Sequence, residues 1–477
     1  MQSFIKKVAS FLLPTSNPPI VSREKHQLKI IPRKEHGISR KRIDKAALDV
    51  LYGLKRAGYD AYLVGGAVRD LLLGLEPKDF DIVTNAEPEQ IKAVFRSRCR
   101  LIGRRFRLAH VYIGRTMIEV ATFRGDSEAD SQSGKSSRKQ LNHTRAVDAS
   151  GRLIRDNVYG DIDEDVWRRD FTVNSLYYNI KDFSILDYTG ATDDIKKGQL
   201  RLIGDPATRY REDPVRMIRA IRFAAKLGFE IESSTKAPIY EMGPLLKEVS
   251  HARMFEEVLK LFHSGVAIEV FEKLRHFGLF TYIFPQTHHI LSEEDQGFPR
   301  MVVIEALKST DARIQSGKGV NPSFLFAAML WEPMLQRREQ HLAEGFSPQD
   351  AMFAAANDVI EQQIYSTSIP KRFTAQIKEI WSLQFRLPKR SGARAQRLFE
   401  HPRFRAAYDF MGIRLAAGEE SLKEVFDWWT DYQEKDAIEQ VAFANDLRTE
   451  KRKRKPRRGR NPYRKRKPRD ENASAGE

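Results

Sequence analysis

Apolar positions along the first half of the chain switch repeatedly between period two and period 3.6, whereas from Gly204 to about Asn445 only the helical period persists. Ile43, Ala47, Val50, Leu51 and Leu54 form one face of a helix that Ser39 can cap and Gly58 ends. "AYLVGG" then predicts a short strand, Ala67 to Leu73 a helix stopped by Gly74, and "DFDIVT" a second strand. "PEQIKAVF" reads as a helix opened by Pro88. "RLAHVYIGRTMIEVATFR" alternates on both sides of a tight turn and predicts a β-hairpin, with another expected around "DFSILDYTG". The pattern therefore describes an α/β head, a mixed sheet with flanking helices, followed by an extended all-α remainder. The longest apolar run, "FLFAAMLW" from Phe324, is too short to span a bilayer and predicts a buried helix.

Charge changes this picture at the end of the chain. Of the net charge of +17, the stretch from Arg448 to Glu477 carries 14 Lys/Arg against four acids, leaving +7 on the other 447 residues. With its prolines, Gly459 and no apolar period, it reads as a disordered basic tail suited to a polyanion, RNA or DNA foremost. Residues 1–38 are Pro- and Lys-rich and read as a disordered or weakly amphipathic arm, which leaves peripheral membrane contact open. Residues 126–150 carry little apolar material and predict a surface loop. A single cysteine, Cys99, excludes an internal disulfide framework and suits the reducing cytoplasm. His288 and His289 form a lone pair read as structural.

Candidate chemistry begins at "LVGGAVRDLLLGLEPKDFDIVT". Residues two apart on a strand share a face, so Asp79 and Asp81 are expected side by side, where their repulsion calls for a cation. Oxygen-only ligands suit Mg²⁺, with Glu119 of "IEVATFR" as a candidate third carboxylate. Gly65 and Gly66 leave backbone N–H groups open to a phosphate, and Arg69 is a further phosphate partner, although the spacing matches neither a Rossmann fingerprint nor a P-loop. "RRDFTVNSLYYN" places Arg168, Arg169, Asp170 and Asn174 at an expected helix start, with Asp170 as cap and the arginines on a triphosphate. "REDPVRMIRAIRFAAKLG" predicts a helix with Asp213 at the N-cap, Pro214 at N1 and Gly228 at the stop. Its Arg216, Arg219 and Arg222 make either a solvated stripe or, for Asp213 and Arg216 one turn apart, a pair that reads a base edge.

Taken in order, these four motifs resemble those of the class II nucleotidyltransferases, which comprise tRNA CCA-adding enzymes and bacterial poly(A) polymerases. The resemblance spans roughly residues 40–260. "CRLIGRRFRLAHVYIG", "NPSFLFAAMLW", "EHPRFRAAYDF" and the basic tail lean toward the poly(A) polymerases and extend it, more loosely, almost to the end of the chain. It implies a nucleotidyltransferase head over 39–180, a base-recognising neck over 181–250, an RNA-binding body over 251–445 and a basic tail over 446–477. It also implies template-independent adenylation of RNA 3′ ends from ATP, with RNA decay as the consequence and two Mg²⁺ ions as cofactor. Asp79, Asp81 and Asp170 would be catalytic, with Asp79, Asp81 and Glu119 on metal. Gly65, Gly66, Arg69, Arg168, Arg169, Asn174, Asp213, Arg216 and Arg219 would bind the nucleotide.

The expected RNA contacts are Arg386, Lys389, Arg390, Arg394, Arg397 and Arg405, interleaved with Phe385, Phe399 and Phe404 for stacking, plus Lys451, Arg452, Lys453 and Arg454. Single-stranded RNA 3′ ends are the expected partner of a monomer, with RNA-decay or RNA-chaperone proteins left open. Two rivals stand beside this reading: a CCA-adding enzyme, and a catalytically silent RNA-binding protein on the same scaffold.

Overall fold

The computed structural model describes residues 27–103, 107–125, 145–147, 153–156, 159–292 and 301–454. The expected N-terminal arm, the 126–150 loop and the end of the basic tail lie wholly or largely outside these residues. The strands are β1 (Lys29–Ile31), β2 (Ala61–Val64), β3 (Asp81–Thr84), β4 (Cys99–Ile102), β5 (Leu108–Ile113), β6 (Thr116–Thr122), β7 (Arg145–Val147), β8 (Leu153–Asp156), β9 (Leu176–Asn179), β10 (Ile185–Asp187), β11 (Gln199–Leu200) and β12 (Glu230–Ile231). Eight of them make one sheet in the order β1-β10-β9-β2-β3-β6-β5-β4. Within it β3 and β6 are parallel, and every other pairing is antiparallel. Both predicted hairpins are present, as β5–β6 and β9–β10.

One face of the sheet is covered by two amphipathic helices, Lys45–Arg56 and Pro88–Phe95. Their Val50, Leu51, Leu54, Ile91 and Phe95 close a core with Leu63, Ile82, Val111 and Val120. The other face carries a smaller cluster, including Val64, Val83, Phe123, Val166 and Tyr177, and is less fully roofed. Alternation along the strands does the sorting: Ile82 points into the large core, whereas its neighbours Asp81 and Val83 point to the opposite side. Exposing a pair of acids there requires no burial of charge under the helices.

Several boundaries differ from expectation. Asp44, not Ser39, caps the first helix, accepting from Ala46 N at 2.6 Å, while Ser39 caps a preceding 3₁₀ turn. β3 begins only at Asp81, so Asp79 precedes the strand and is exposed. The segment around Arg168 is the end of a short helix, Ile162–Trp167, followed by a 3₁₀ turn, Thr172–Asn174, and then β9; it is not a helix start. A Thr-Val-Asn-Ser stretch feeding the aromatic run Leu-Tyr-Tyr favours a turn into a strand.

The remainder is helical apart from the two-residue parallel pair β11–β12. The helix Val215–Leu227 ends at Gly228, whose φ of 66° is open to glycine without strain. Among the described residues no helix is long and apolar enough to cross a membrane. Cys99 is buried and free.

The chain divides into two compact units between Thr374 and Ala375. The second has its own aromatic core, in which Phe404, Trp429 and Tyr432 are buried and Phe399 packs against them. This corrects two expectations: Phe399 and Phe404 lie 5.1 Å apart inside that core instead of forming a stacking platform. Arg390 is buried and donates to Glu424 Oε1 at 2.7 Å, so it is a packing residue. Arg386, Lys389, Arg394, Arg397 and Arg405 are exposed, as a phosphate-binding role requires. The final helix, Ala437–Arg454, continues past the expected end of the body at 445 and takes in the backbone of Lys451, Arg452, Lys453 and Arg454.

Candidate active site

The turn between β2 and the helix Gly66–Leu72 shapes the site. Gly65 adopts φ 72° and ψ −132°, a conformation that only glycine adopts readily. A Cβ built there would stand 3.7 Å from the Asn174 carbonyl and 4.0 Å from an Arg169 guanidinium nitrogen, which places the glycine turn beside the "RRD" segment. Arg69 does not reach outward. It is 2% exposed and donates to Asp70 Oδ1 at 2.6 and 2.8 Å and to Asn174 Oδ1 at 2.5 Å. The guanidinium thus braces the turn from beneath instead of facing the cleft.

In register, Ile82 of β3 lies beside Val120 of β6, so Asp81 and Glu119 are level on adjacent strands and point to the same face. They open into a cleft of about 390 Å³, whose lining includes Arg124, Asp165, Arg168, Arg169, Asp170, Asp213, Arg216, Arg219 and Arg253. Asp81 is water-accessible but walled in by protein. Burial first, then the charges of Glu119 and Asp79, push its carboxyl up to about 6, with Arg169 pulling the other way. Asp79 therefore acts on Asp81 from the loop before the strand, not from a shared strand face. Glu119 stands 3.7 Å from His110 Nε2, its cross-strand neighbour.

Four cleft arginines, Arg169, Arg219, Arg253 and Arg216, are paired with carboxylates. Arg169 donates to Asp165 Oδ2 at 2.7 Å, and Tyr177 OH donates to the same oxygen at 2.7 Å. Burial opposes the charge on Arg169, and Asp165 and Tyr177 more than offset it. Arg219 donates through Nε to Asp170 Oδ2 at 2.9 Å, with its NH2 on the same oxygen. Burial opposes ionisation of Asp170. The Arg219 pair and hydrogen bonds from Phe171 N and Asn174 outweigh it, so the carboxyl lies well below its ordinary range. Arg253 donates to Asp213 Oδ2 at 2.7 Å.

Asp213 and Arg216 share the cleft. Arg216 donates to the Arg209 carbonyl at 2.7 Å and to Glu212 Oε2 at 2.9 Å. Arg209 in turn donates to the Arg168 and Arg169 carbonyls at 2.9 and 2.7 Å, tying the neck to the "RRD" segment. Arg168 donates to the Gly125 carbonyl at 2.9 Å. Sequence reasoning missed Arg124, Asp165, Tyr177, Arg209, Glu212 and Arg253. Asp165 stands four residues before Arg169, a helical ion-pair spacing that was legible. Arg253 lies forty residues from Asp213, and nothing local announces the pair.

Asp81, Glu119 and Asp79 supply only oxygen donors, and Asp81 makes no ion pair among the described residues. Their mutual repulsion is what a divalent cation relieves, so this donor set fits a hard ion such as Mg²⁺. Among the described residues no group of three acids, histidines or cysteines is placed to hold a metal ion by itself. Water or substrate oxygens would therefore complete the shell, as Mg²⁺ sites commonly allow.

Comparison with known proteins agrees with this geometry. Three family models match: a poly A polymerase head domain over 61–201, a probable RNA and SrmB-binding site of polymerase A over 228–291, and a polymerase A arginine-rich C-terminus over 344–467. The chain is 47% identical over 444 residues to a poly(A) polymerase I of Salmonella typhi, covering 93% of each chain. It is 45% identical to one of Haemophilus influenzae, covering 85% of this chain and 88% of that one. A CCA-adding enzyme of Geobacillus thermodenitrificans is 36% identical over 50% of this chain and 54% of its own. Among solved structures, a CCA-adding enzyme in apo form superposes with a TM-score of 0.55 at 20% identity, over 83% of this chain and 86% of that one, a likeness of fold alone. A head with paired acids on adjacent strands facing an arginine-lined cleft, combined with 47% identity along nearly its whole length, makes this chain a member of the poly(A) polymerase family of nucleotidyltransferases.

Proposed function

We propose that this chain transfers AMP from ATP to RNA 3′-hydroxyls without a template, building poly(A) tails. The observation that carries the reading is the cleft itself. Asp81 and Glu119 stand on one wall and the arginines stand around them, in a chain that matches poly(A) polymerase I over nearly its whole length. Mg²⁺ ions, held by Asp81 and Asp79 with Glu119 beside them, would supply activation of the 3′-hydroxyl and charge neutralisation at the triphosphate and leaving pyrophosphate. The protein's own contribution is positioning and electrostatics. Arg168, Arg169 and Arg124 would meet the phosphates, with Arg169 held in place by Asp165. Asp170 and Arg219 would keep the neck against the head. Asp213, anchored by Arg253, and Arg216, anchored by Glu212, would form the base end of the cleft.

The test is purified protein, a non-tRNA oligonucleotide, Mg²⁺ and each NTP separately. Long tails from ATP alone are expected; strict addition of C, C and A to tRNA would transfer the chain to the CCA-adding reading. Base choice follows from the neck pair. Hydrogen-bonding sites reject bases that leave their polar groups unpaired. Arg216→Ala should therefore lower ATP use and narrow the gap to CTP and GTP, and an unchanged ATP preference in competition assays would assign base reading to other residues.

RNA contact would come from the segment matching the RNA-binding model, the exposed basic residues of the second unit, and the tail. Removing residues 455–477, which spares the final helix, should weaken RNA binding at moderate salt and flatten the plot of log affinity against log salt. Each neutralised phosphate on a single strand contributes a slope of roughly −0.7. Turnover on saturating primer should survive. An unaltered slope would give the tail a different partner.

A further inference from the structure

Away from the active cleft, within the first unit, three helices (Pro285–Ile290, Trp331–Ala343 and Pro348–Ile364) wall a second cavity of about 460 Å³. Its construction is unlike that of the cleft. Asp358 is its carboxylate, and Arg337 Nε donates to it at 2.7 Å while His341 Nε2 lies 2.8 Å from the same oxygen. The other ring nitrogen of His341 lies 2.9 Å from Glu344 Oε2, and the carboxylates on both sides raise the imidazole's pKa. These bonds clamp Trp331–Ala343 to Pro348–Ile364, and Gln286 pins the third helix by donating to the Val359 carbonyl at 3.1 Å. The cavity is thus preformed, and its charges are balanced internally.

Apart from Arg337, Asp358 and His289, the cavity is lined by amides and apolar side chains. Pro333 and Val359 give it a buried apolar floor. Gln336 and Gln362, one from each clamped helix, line it with exposed amides that make no hydrogen bond among the described residues. A phosphate would find both local cations already engaged by carboxylates. A flat heteroaromatic ring finds an apolar surface for its face and amides, each with a donor and an acceptor, for its edge. The volume falls in the range of small-ligand sites and accommodates one base with its sugar.

We propose that this cavity seats one unstacked base of a bound RNA strand, with Gln336 and Gln362 on its polar edge and Pro333 and Val359 against its face. The proposal rests on the reading above that RNA is the substrate, and its test is independent of adenylation. Full-length protein is titrated with a fluorescent oligoadenylate, without ATP, across a salt series. The doubly substituted Gln336→Ala/Gln362→Ala chain should bind roughly five- to tenfold more weakly, the size expected for losing the hydrogen bonds to one base edge. Its salt slope should be unchanged, because no phosphate contact is lost. An abasic residue moved along the oligonucleotide should reproduce the loss at one position in the wild type and add nothing in the variant. Both residues are exposed, so the melting temperature should not move. Unchanged affinity, a flattened salt slope, or an abasic series with no sensitive position would each overturn the assignment. So would loss of binding to free AMP with RNA affinity intact, which would make the cavity a mononucleotide site. In every case AMP incorporation on saturating primer reports separately on the proposed activity.

Discussion

Asp81→Asn is expected to abolish AMP transfer, by about 10³-fold or more, while leaving RNA affinity nearly unaltered and the fold no less stable. The three outcomes share one cause. Asp81 ends the sheet at the cleft mouth, level with Glu119, and the repulsion among Asp81, Glu119 and Asp79 adds to burial in pushing its carboxyl up to about 6. A protein folded around that repulsion gains nothing from the charge in the absence of a cation. Asparagine keeps the shape and removes one member of the set, so the melting temperature measured without divalent ions should hold or rise. If Asp81 holds Mg²⁺ as proposed, asparagine would also weaken the charge meant to align hydroxyl and α-phosphate, and electrostatic positioning terms are commonly among the largest in catalysis. The RNA contacts proposed above lie mainly elsewhere, so affinity should persist in a filter or anisotropy assay. Wild-type primer extension by the variant would remove Asp81 from the metal assignment. Asp79→Asn should also impair transfer, since Asp79 adds to the same negative field from the loop before the strand.

Arg219→Met should be the most damaging of the neck substitutions. Asp170 lies in the head and Arg219 on the helix Val215–Leu227, and the side chains are 14% and 29% exposed. Breaking a largely buried pair from one side leaves a carboxylate without its charge partner. The loss expected is about 2–4 kcal/mol, below the full range for a completely buried pair because Arg219 is partly solvated. Asp170→Asn combined with Arg219→Met should recover much of that stability, since the amide oxygen introduced at this position can still accept from Phe171 N, yet should not recover activity. A single variant as stable as the wild type in urea would show the pair to be dispensable.

The acid side provides a second readout. Asp170 titrates below its ordinary range when folded, so its contribution is fully present above the unfolded carboxylate value near 4 and is lost as pH falls through the folded value. In Arg219→Met that acid-side loss should shrink, because the largest of the interactions holding the folded carboxyl down is removed.

Much of the site was legible because its chemistry is local. The glycine turn at Gly65, the acids around Asp81 and the arginines beside Asp170 each sit within a few residues of one another. Alternation and helical period place them on strands, turns and helices to within a few positions. The differences are also local in origin. Alternation runs through Asp79 and extends the expected strand to it, but β3 starts only where pairing with Val64 begins, at Asp81. Asp and Asn favour caps and so suggest a helix start at "RRDFTVN", while its backbone instead turns into β9. In the second unit the Arg/Phe spacing suggests stacking, yet aromatic side chains bury more area than any others and go inside.

The sequence by itself determined the order of elements, the apolar face of each, the sign and place of the charge, and the ordered motifs that mark the family. These follow from short-range sterics and from the free energy of burying apolar side chains, which a one-dimensional pattern encodes. Tertiary structure alone decided which charges meet. It set Glu119 level with Asp81 through a parallel pairing of strands far apart in the chain, matched Arg253 with Asp213 and Arg219 with Asp170, and turned Arg69 inward onto Asn174. Electrostatic energy depends on distance and on how much water lies between, and neither is a property of sequence separation. The same arginine-rich stretch can therefore brace a turn, grip an acid or face a phosphate, and only the packed chain assigns each guanidinium its task.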